Sequence, residues 1–150
     1  MIAIIDYGMG NLHSVYNALD KINCPCIITS KKEELLQADG LILPGVGAFD
    51  ECMENLKKTG LIDTIKDECK KGKPLLGICL GMQVLFEKGY EGKACLGLGL
   101  LQGKVTLMKD NTVKIPHIGW NQLEKNHDDQ ILDSLKKFFF FTRNNTRTIY

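Results

Sequence analysis

The sequence predicts an α/β protein of three layers, a mostly parallel sheet with helices on its faces. Three observations predict it. Short continuous apolar runs such as Ile2-Ala3-Ile4-Ile5 suit strands buried on both faces. Segments of helical period separate these runs. Glycine-rich turns follow them, where parallel strands hand over to helices at one carboxyl edge. With 150 residues, 44% of them hydrophobic and 25% charged, the composition is that of a globular chain able to bury one core, so a single domain over residues 1–150 is expected.

A net charge of +1, with lysines and acids mixed throughout, offers no basic face to nucleic acid and no acidic tail. A small neutral substrate or a protein partner fits better. The opening apolar run is too short for a signal peptide or a membrane span, which places the chain in the cytosol. There, the six cysteines stay reduced. Cys24-Pro25-Cys26 lacks metal-ligand spacing and has no matching second pair, so no metal is expected.

In chain order, residues 2–5 read as the first strand. Asp6-Tyr7-Gly8-Met9-Gly10-Asn11 supplies turn residues and a helix N-cap, and Leu12, Val15, Tyr16, Leu19 and Ile22 then recur at helical spacing. Gly8-x-Gly10 is half of a dinucleotide fingerprint, but His13 stands where the third glycine belongs. A tight turn is the better reading, and no cofactor is expected. Residues 26–29 are a second strand, residues 31–38 a charged helix with Leu35 and Leu36 inward, and residues 40–43 a third strand. Pro44-Gly45-Val46-Gly47-Ala48-Phe49 follows. Glycines either side of Val46 let the peptides between them reorient and aim N–H groups at a ligand, as an oxyanion hole requires. By itself such a stretch is an ordinary mobile βα turn. What tips it toward an oxyanion turn is a nucleophile at the end of the next strand.

That nucleophile is Cys79. After helical segments at residues 50–58 and 61–71, broken at Gly60, the run Pro74-Leu75-Leu76 leads into Gly77-Ile78-Cys79-Leu80-Gly81-Met82-Gln83, with residues 82–87 helix-like. The pattern is strand, one-residue elbow, helix. Glycines two residues to either side let strand and helix approach without Cβ clashes, and a helix N-terminus favours thiolate over thiol. The competing reading is a small buried residue closing a central strand. Both glycines and Gln83 favour the nucleophile. Beyond Gly89, residues 97–101, 104–108 and 113–116 read as strands or hairpin pieces, and residues 116–121 as a loop. His117 in that loop reads as structural, and the lone Trp120 as either core or a partner-facing anchor. Residues 129–137 read as a short helix, residues 138–141 as a very apolar strand, and residues 143–150 as an atypical polar tail that completes no βα unit.

Taken together, Asp6-Tyr7-Gly8-Met9-Gly10-Asn11, Pro44-Gly45-Val46-Gly47-Ala48-Phe49, residues 77–83 and Pro116-His117-Ile118-Gly119-Trp120-Asn121 closely resemble the glutaminase subunit of imidazole glycerol phosphate synthase. Order and context match from Ile2 to about Phe141. That family consists of class I, triad-type glutamine amidotransferases of flavodoxin-like fold. The resemblance implies a Cys-His-Glu triad that hydrolyses glutamine to glutamate and passes ammonia to a (β/α)-barrel cyclase subunit in histidine biosynthesis. Cys79 takes the nucleophile's position, with the backbone N–H groups of Val46 and Leu80 holding the oxyanion. Gly45, Gly47 and Gln83 seat the glutamine, and Asn11, His117, Trp120 and Asn121 face the cyclase in a heterodimer. One departure stands out. The family carries its base as His-Pro-Glu, beyond a strand reading aromatic-x-His-Ser-Tyr. Here Phe139-Phe140-Phe141-Thr142 resembles the start of that strand, yet Arg143-Asn144-Asn145 follows, and none of His13, His117 and His127 precedes Pro-Glu. The expectation is a chain with incomplete C-terminal strands, an unpaired edge at residues 138–141 and no glutaminase activity. A non-catalytic partner-binding module, or a paralogue supplying ammonia for sugar amination, are the alternatives.

Overall fold

Four parallel strands carry the first of two compact units, Met1–Thr106 with Ile149–Tyr150; the second is Leu107–Thr148. The computed structural model describes residues 1–91 and 93–107, and the backbone of three further strands, β8 (Ile118–Gln122), β9 (Phe138–Thr142) and β10 (Arg147–Ile149). In the first sheet β1 (Ile2–Ile5), β2 (Cys26–Thr29), β3 (Gly40–Gly45) and β4 (Leu75–Cys79) lie in the order β2-β1-β3-β4. Each connection is helical: α1 (Leu12–Lys21) after β1, α2 (Lys32–Gln37) after β2, and α3 (Phe49–Thr59) with α4 (Ile62–Lys70) after β3. This is the α/β, mostly parallel architecture that alternating strands and helices predict.

Alternation along each strand decides what is buried where. Ala3, Ile5, Leu41 and Leu43 join Leu35 of α2, Phe49, Met53 and Leu56 of α3, and Ile65 of α4 in one buried cluster. α1 contributes nothing to that cluster. Its Leu12, Val15 and Leu19 are half-buried, while Tyr16 and Ile22, expected on the same face, are exposed. Leu36 is exposed as well, because adjacent helical residues point about 100° apart and only Leu35 can face inward. α3 and α4 part at Gly60, whose φ of +69° closes α3 in the left-handed conformation.

The entry to β4 is fixed from below. Lys73, two residues before the strand, donates to the Leu35 and Leu36 carbonyls at 2.7 and 2.8 Å and pairs with Glu68 of α4 at 2.7 Å. Lys71 takes the other Glu68 oxygen, also at 2.7 Å. The staple joins α2, α4 and the start of the strand that ends in Cys79.

Beyond Cys79 the structure departs from the sequence pattern. The helix expected over residues 82–87 is one turn, α5 (Leu80–Gln83), followed by a strand, β5 (Phe86–Gly89). Tertiary hydrogen bonds explain the switch. The Val84 and Leu85 carbonyls, which a longer helix would offer to residues 88 and 89, accept instead from Leu98 at 2.7 Å and Leu100 at 2.9 Å. β5 pairs antiparallel with β6 (Cys95–Leu96) and parallel with β7 (Leu101–Leu107). Residues 97–100, expected as part of a strand, are the connection between these two.

Two further expectations change in the second unit. β8, read from sequence as a loop, is a strand, and it pairs antiparallel with β9 from Ile118↔Thr142 to Gln122↔Phe138. The backbone of residues 138–141 is therefore paired on one side, with β8, in a two-stranded sheet. The strand expected at residues 113–116 and the helix at residues 129–137 lie outside the described residues.

The Lys73 staple makes a testable claim about acid stability. Hydrogen bonds from Lys71 and Lys73 hold the Glu68 carboxyl below its ordinary range. Because the folded value is the lower one, its contribution is complete above the unfolded carboxylate value of about 4.3 and is lost as pH falls below it. Urea titrations between pH 7 and pH 3 should show Glu68→Gln less stable than the parent at neutral pH. The gap should close at the acid end, and parallel curves across the range would contradict the assignment.

Candidate active site at the Cys79 elbow

β4 ends at Cys79 and α5 begins at Leu80, with no residue between them. The reversal is made by Cys79 itself, at φ +56° and ψ −116°. A side chain in that region costs about 1–3 kcal/mol and persists only where the surroundings impose it. Among the described residues one other non-glycine has positive φ, Asn23, a residue type that tolerates it. At the elbow, imposition comes from close approach. A Cβ on Gly81 would overlap the Leu43 carbonyl oxygen of β3, and one on Gly77 would stand 2.5 Å from the Met82 Cα. Leu80, Gly81 and Gln83 are buried while Cys79 is exposed, so the turn is anchored beneath and presents its thiol outward. The helix expected over residues 82–87 is replaced by the single turn of α5, so little macrodipole forms; what α5 offers is local, the N–H groups of that turn.

The carboxyl end of β3 lies beside this thiol. β3 runs two residues further than its apolar pattern suggests, and its last pair is Gly45↔Cys79. The free turn is therefore residues 46–48, with Val46 51% exposed and Gly47 at φ +90°. Val46 and Leu80 are the next residues along each chain past that last pair. Leu80, first in its helix, has an N–H without an intrahelical acceptor. The candidate oxyanion donors thus stand on neighbouring chains flanking Cys79. Gln83 is buried, and its Oε1 has no hydrogen-bond partner among the described residues. A buried carbonyl oxygen left unpaired costs about 1–3 kcal/mol, which a donor on a bound molecule would offset.

Three residues of this edge were not singled out from the sequence. Tyr7, just past β1, is buried and donates its hydroxyl to the Pro44 carbonyl at 2.7 Å. The Cys52 thiol of α3 in turn donates to the Tyr7 oxygen at 3.4 Å. Burial, then the Cys52 contact, pushes the Tyr7 phenol far above its ordinary value, and burial pushes the Cys52 thiol up to about 11. Both groups stay neutral near pH 7. At the far end of the turn, the Glu91 carboxylate accepts the Phe49 N–H at 3.2 Å, holding the first turn of α3 from a distant part of the chain. A tyrosine two residues past a buried strand was a usable signal; nothing local marked Cys52 or Glu91.

Of the residues the resemblance places against a partner, Asn11 is exposed and caps α1, accepting from the Ser14 N–H at 3.3 Å. Trp120 and Asn121 belong to β8, and His117 lies outside the described residues. Among the described residues no three His, Cys, Asp or Glu side chains gather as a metal site would. No helix among them is long and apolar enough to cross a membrane. A cavity of about 320 Å³ lined by Lys73, Leu75 and Leu101 opens at the start of β4, the opposite end of the strand from Cys79, and has no part in this chemistry.

An elbow thiol stands at the carboxyl edge of a parallel sheet, with candidate backbone donors on the adjoining strand end. Residues 3–149 match the profile of the family described as Glutamine amidotransferase class-I. The chain belongs to that family. Within it, the chain is 55% identical over 135 residues to imidazole glycerol phosphate synthase subunit HisH of Bacillus cereus (strain G9842), covering 90% of this chain and 64% of that protein. To the subunits of the same name from Bacillus licheniformis and Bacillus subtilis it is 50% and 45% identical, in each case over 94% of this chain and 69% of the relative. The chain thus spans about two thirds of the length of these curated relatives. A solved chain from Thermoplasma acidophilum, assigned to GMP synthase, shares the fold at a TM-score of 0.66 and 21% identity, covering 99% of this chain and 65% of that one.

Strain at Cys79 predicts an unusual stability order. Glycine at this φ and ψ relieves about 1–3 kcal/mol of strain and costs about 0.5–1 kcal/mol of chain entropy, so Cys79→Gly should be more stable than Cys79→Ala by about 1 kcal/mol. Chemical denaturation of the two variants measures the difference directly. Equal stabilities would mean that the elbow is relaxed.

Proposed function

We propose that this chain carries the nucleophile half of a glutaminase, which hydrolyses glutamine to glutamate and delivers ammonia to a cyclase subunit forming imidazole glycerol phosphate in histidine biosynthesis. The observation that carries the proposal is the left-handed Cys79, presented on a turn with no linker beside the last residue of β3. The Cys79 sulfur attacks the carbon of the side-chain amide, the carbonyl electrons move onto oxygen, and the Val46 and Leu80 N–H groups receive that oxyanion. Collapse of the adduct breaks the C–N bond and leaves a glutamyl thioester, which water cleaves to glutamate and free thiol. Gly45, Gly47 and Gln83, whose Oε1 has no partner among the described residues, seat the substrate.

Ammonia released into water is protonated and lost as a nucleophile, so the product calls for a closed route into a second subunit. Asn11 in the first unit and, separately, His117, Trp120 and Asn121 in the second are the residues for contact with a (β/α)-barrel cyclase, and the pair works as a heterodimer in the cytoplasm. The names of the relatives favour histidine biosynthesis over sugar amination. The chemistry also calls for a general acid. Departing ammonia must be protonated, and no histidine in these 150 residues precedes Pro-Glu. By comparison with deletions in other catalytic triads, a glutaminase working without that acid turns over on the order of 10⁴-fold more slowly.

Two measurements test this. With a cyclase present, a glutamine-shaped alkylator should modify Cys79 ahead of Cys24, Cys26, Cys52, Cys69 and Cys95, as peptide mapping would show; indiscriminate labelling would remove the nucleophile from Cys79. Glutamate release by the chain with cyclase should fall about 10⁴-fold below that of a chimera carrying a relative's segment after Phe141. Turnover by the chain within tenfold of the chimera would overturn the assignment of the missing acid.

A further inference from the structure

We propose that Tyr7 is a positioning residue for the oxyanion turn: its hydroxyl clamps the Pro44 carbonyl and so sets where the free backbone beside Cys79 begins. This rests on the glutaminase function proposed above. The ladder between β1 and β3 ends at Ile4↔Ile42, whereas that between β3 and β4 continues to Gly45↔Cys79. Over its last three residues β3 has therefore lost a backbone neighbour on one side. Tyr7 supplies a donor to that unaccompanied stretch, from Oη to the Pro44 carbonyl at 2.7 Å. The hydroxyl also lies against the last residue of β3, since a Cβ on Gly45 would lie 3.0 Å from Tyr7 Oη and 2.5 Å from the Gly81 N.

The second bond of the hydroxyl gives the clamp its direction. Cys52 donates to the Tyr7 oxygen, so the single phenolic proton is committed to Pro44. Cys52 sits in the first turn of α3, immediately after the turn that Pro44 precedes, and one hydroxyl thereby joins both sides of residues 45–48. Burial pushes the phenol well above its ordinary range, so the hydroxyl keeps the proton it donates to Pro44. Mobility is left to Val46 and Gly47, the residues that must present a donor.

The test compares the chain with Tyr7→Phe, which keeps the ring and removes only the hydroxyl. Amide exchange at residues 45–48 should quicken about fivefold to tenfold, while residues 3–5 and 41–43 exchange as before. Alkylation of Cys79 by a chloroketone analogue of glutamine, whose carbonyl oxygen occupies the oxyanion position, should slow by about tenfold or more. Alkylation by iodoacetamide, which needs no such donor, should be unchanged. Unaltered exchange in the turn, or an equal loss with both reagents, would overturn the positioning role. Should Tyr7→Phe fail to fold, the parent protein still decides. Its Tyr7 hydroxyl proton should exchange with water far more slowly than that of the exposed Tyr16, and equal rates would refute the clamp. A chloroketone that does not prefer Cys79 in the parent counts against the glutaminase function, and leaves the exchange comparison to judge Tyr7 alone.

Discussion

The carboxyl edge of this sheet depends on how closely the Cys79 elbow can sit on the end of β3. Gly81 rests against the Leu43 carbonyl, and Gly77 fits under Met82, at separations that leave no space for a side chain. Because the approach is so close, α5 starts without a linker and the reversal falls on one residue. Cys79 carries that reversal in backbone strain. Burial of Leu80 and Val84 beneath the turn supplies the opposing stabilisation, at about 1.5–3 kcal/mol for each large apolar side chain.

The same contact sets the position of the neighbouring turn. Once the elbow is seated, the β3–β4 register places Gly45 opposite Cys79, and the first free residue of the turn is Val46. Fixed points bound the turn on each side, Pro44 through the Tyr7 hydroxyl and Phe49 through the Glu91 carboxylate. Only residues 45–48 lie between them, and Gly45 is itself paired with Cys79. A donor that must meet charge developing on a substrate oxygen works best when little else moves with it. Lys73, at the other end of β4, applies the same logic by tying the strand's start to α2 and α4.

Competition for backbone carbonyls decided the course of the chain after the site. Val84 and Leu85 follow a helical turn and have helical spacing, yet their carbonyls bond to Leu98 and Leu100, 14 and 15 residues further along the chain. A second sheet forms where a helix was expected. Neighbouring segments of the chain did not disclose that competition, since local pattern reports the period of apolar residues and not the distant group that will claim each backbone acceptor.

From residues alone, the alternation of strands and helices, the break at Gly60, the elbow at Cys79 and the glycine turn before Phe49 were all legible. Each is written in local chemistry: apolar runs of strand length, glycines where a Cβ cannot stand, and a turn between two periodic segments. Motif order likewise carried the family. Three things were decided only by tertiary structure: where β3 ends, how short α5 is, and which groups hold the turn beside the thiol. Tyr7, Cys52 and Glu91 come from separate parts of the chain and meet through hydrogen bonds that have no sequence period. A turn's shape is local, but the donors and acceptors that hold it in place are chosen by whichever chain segments the core brings alongside.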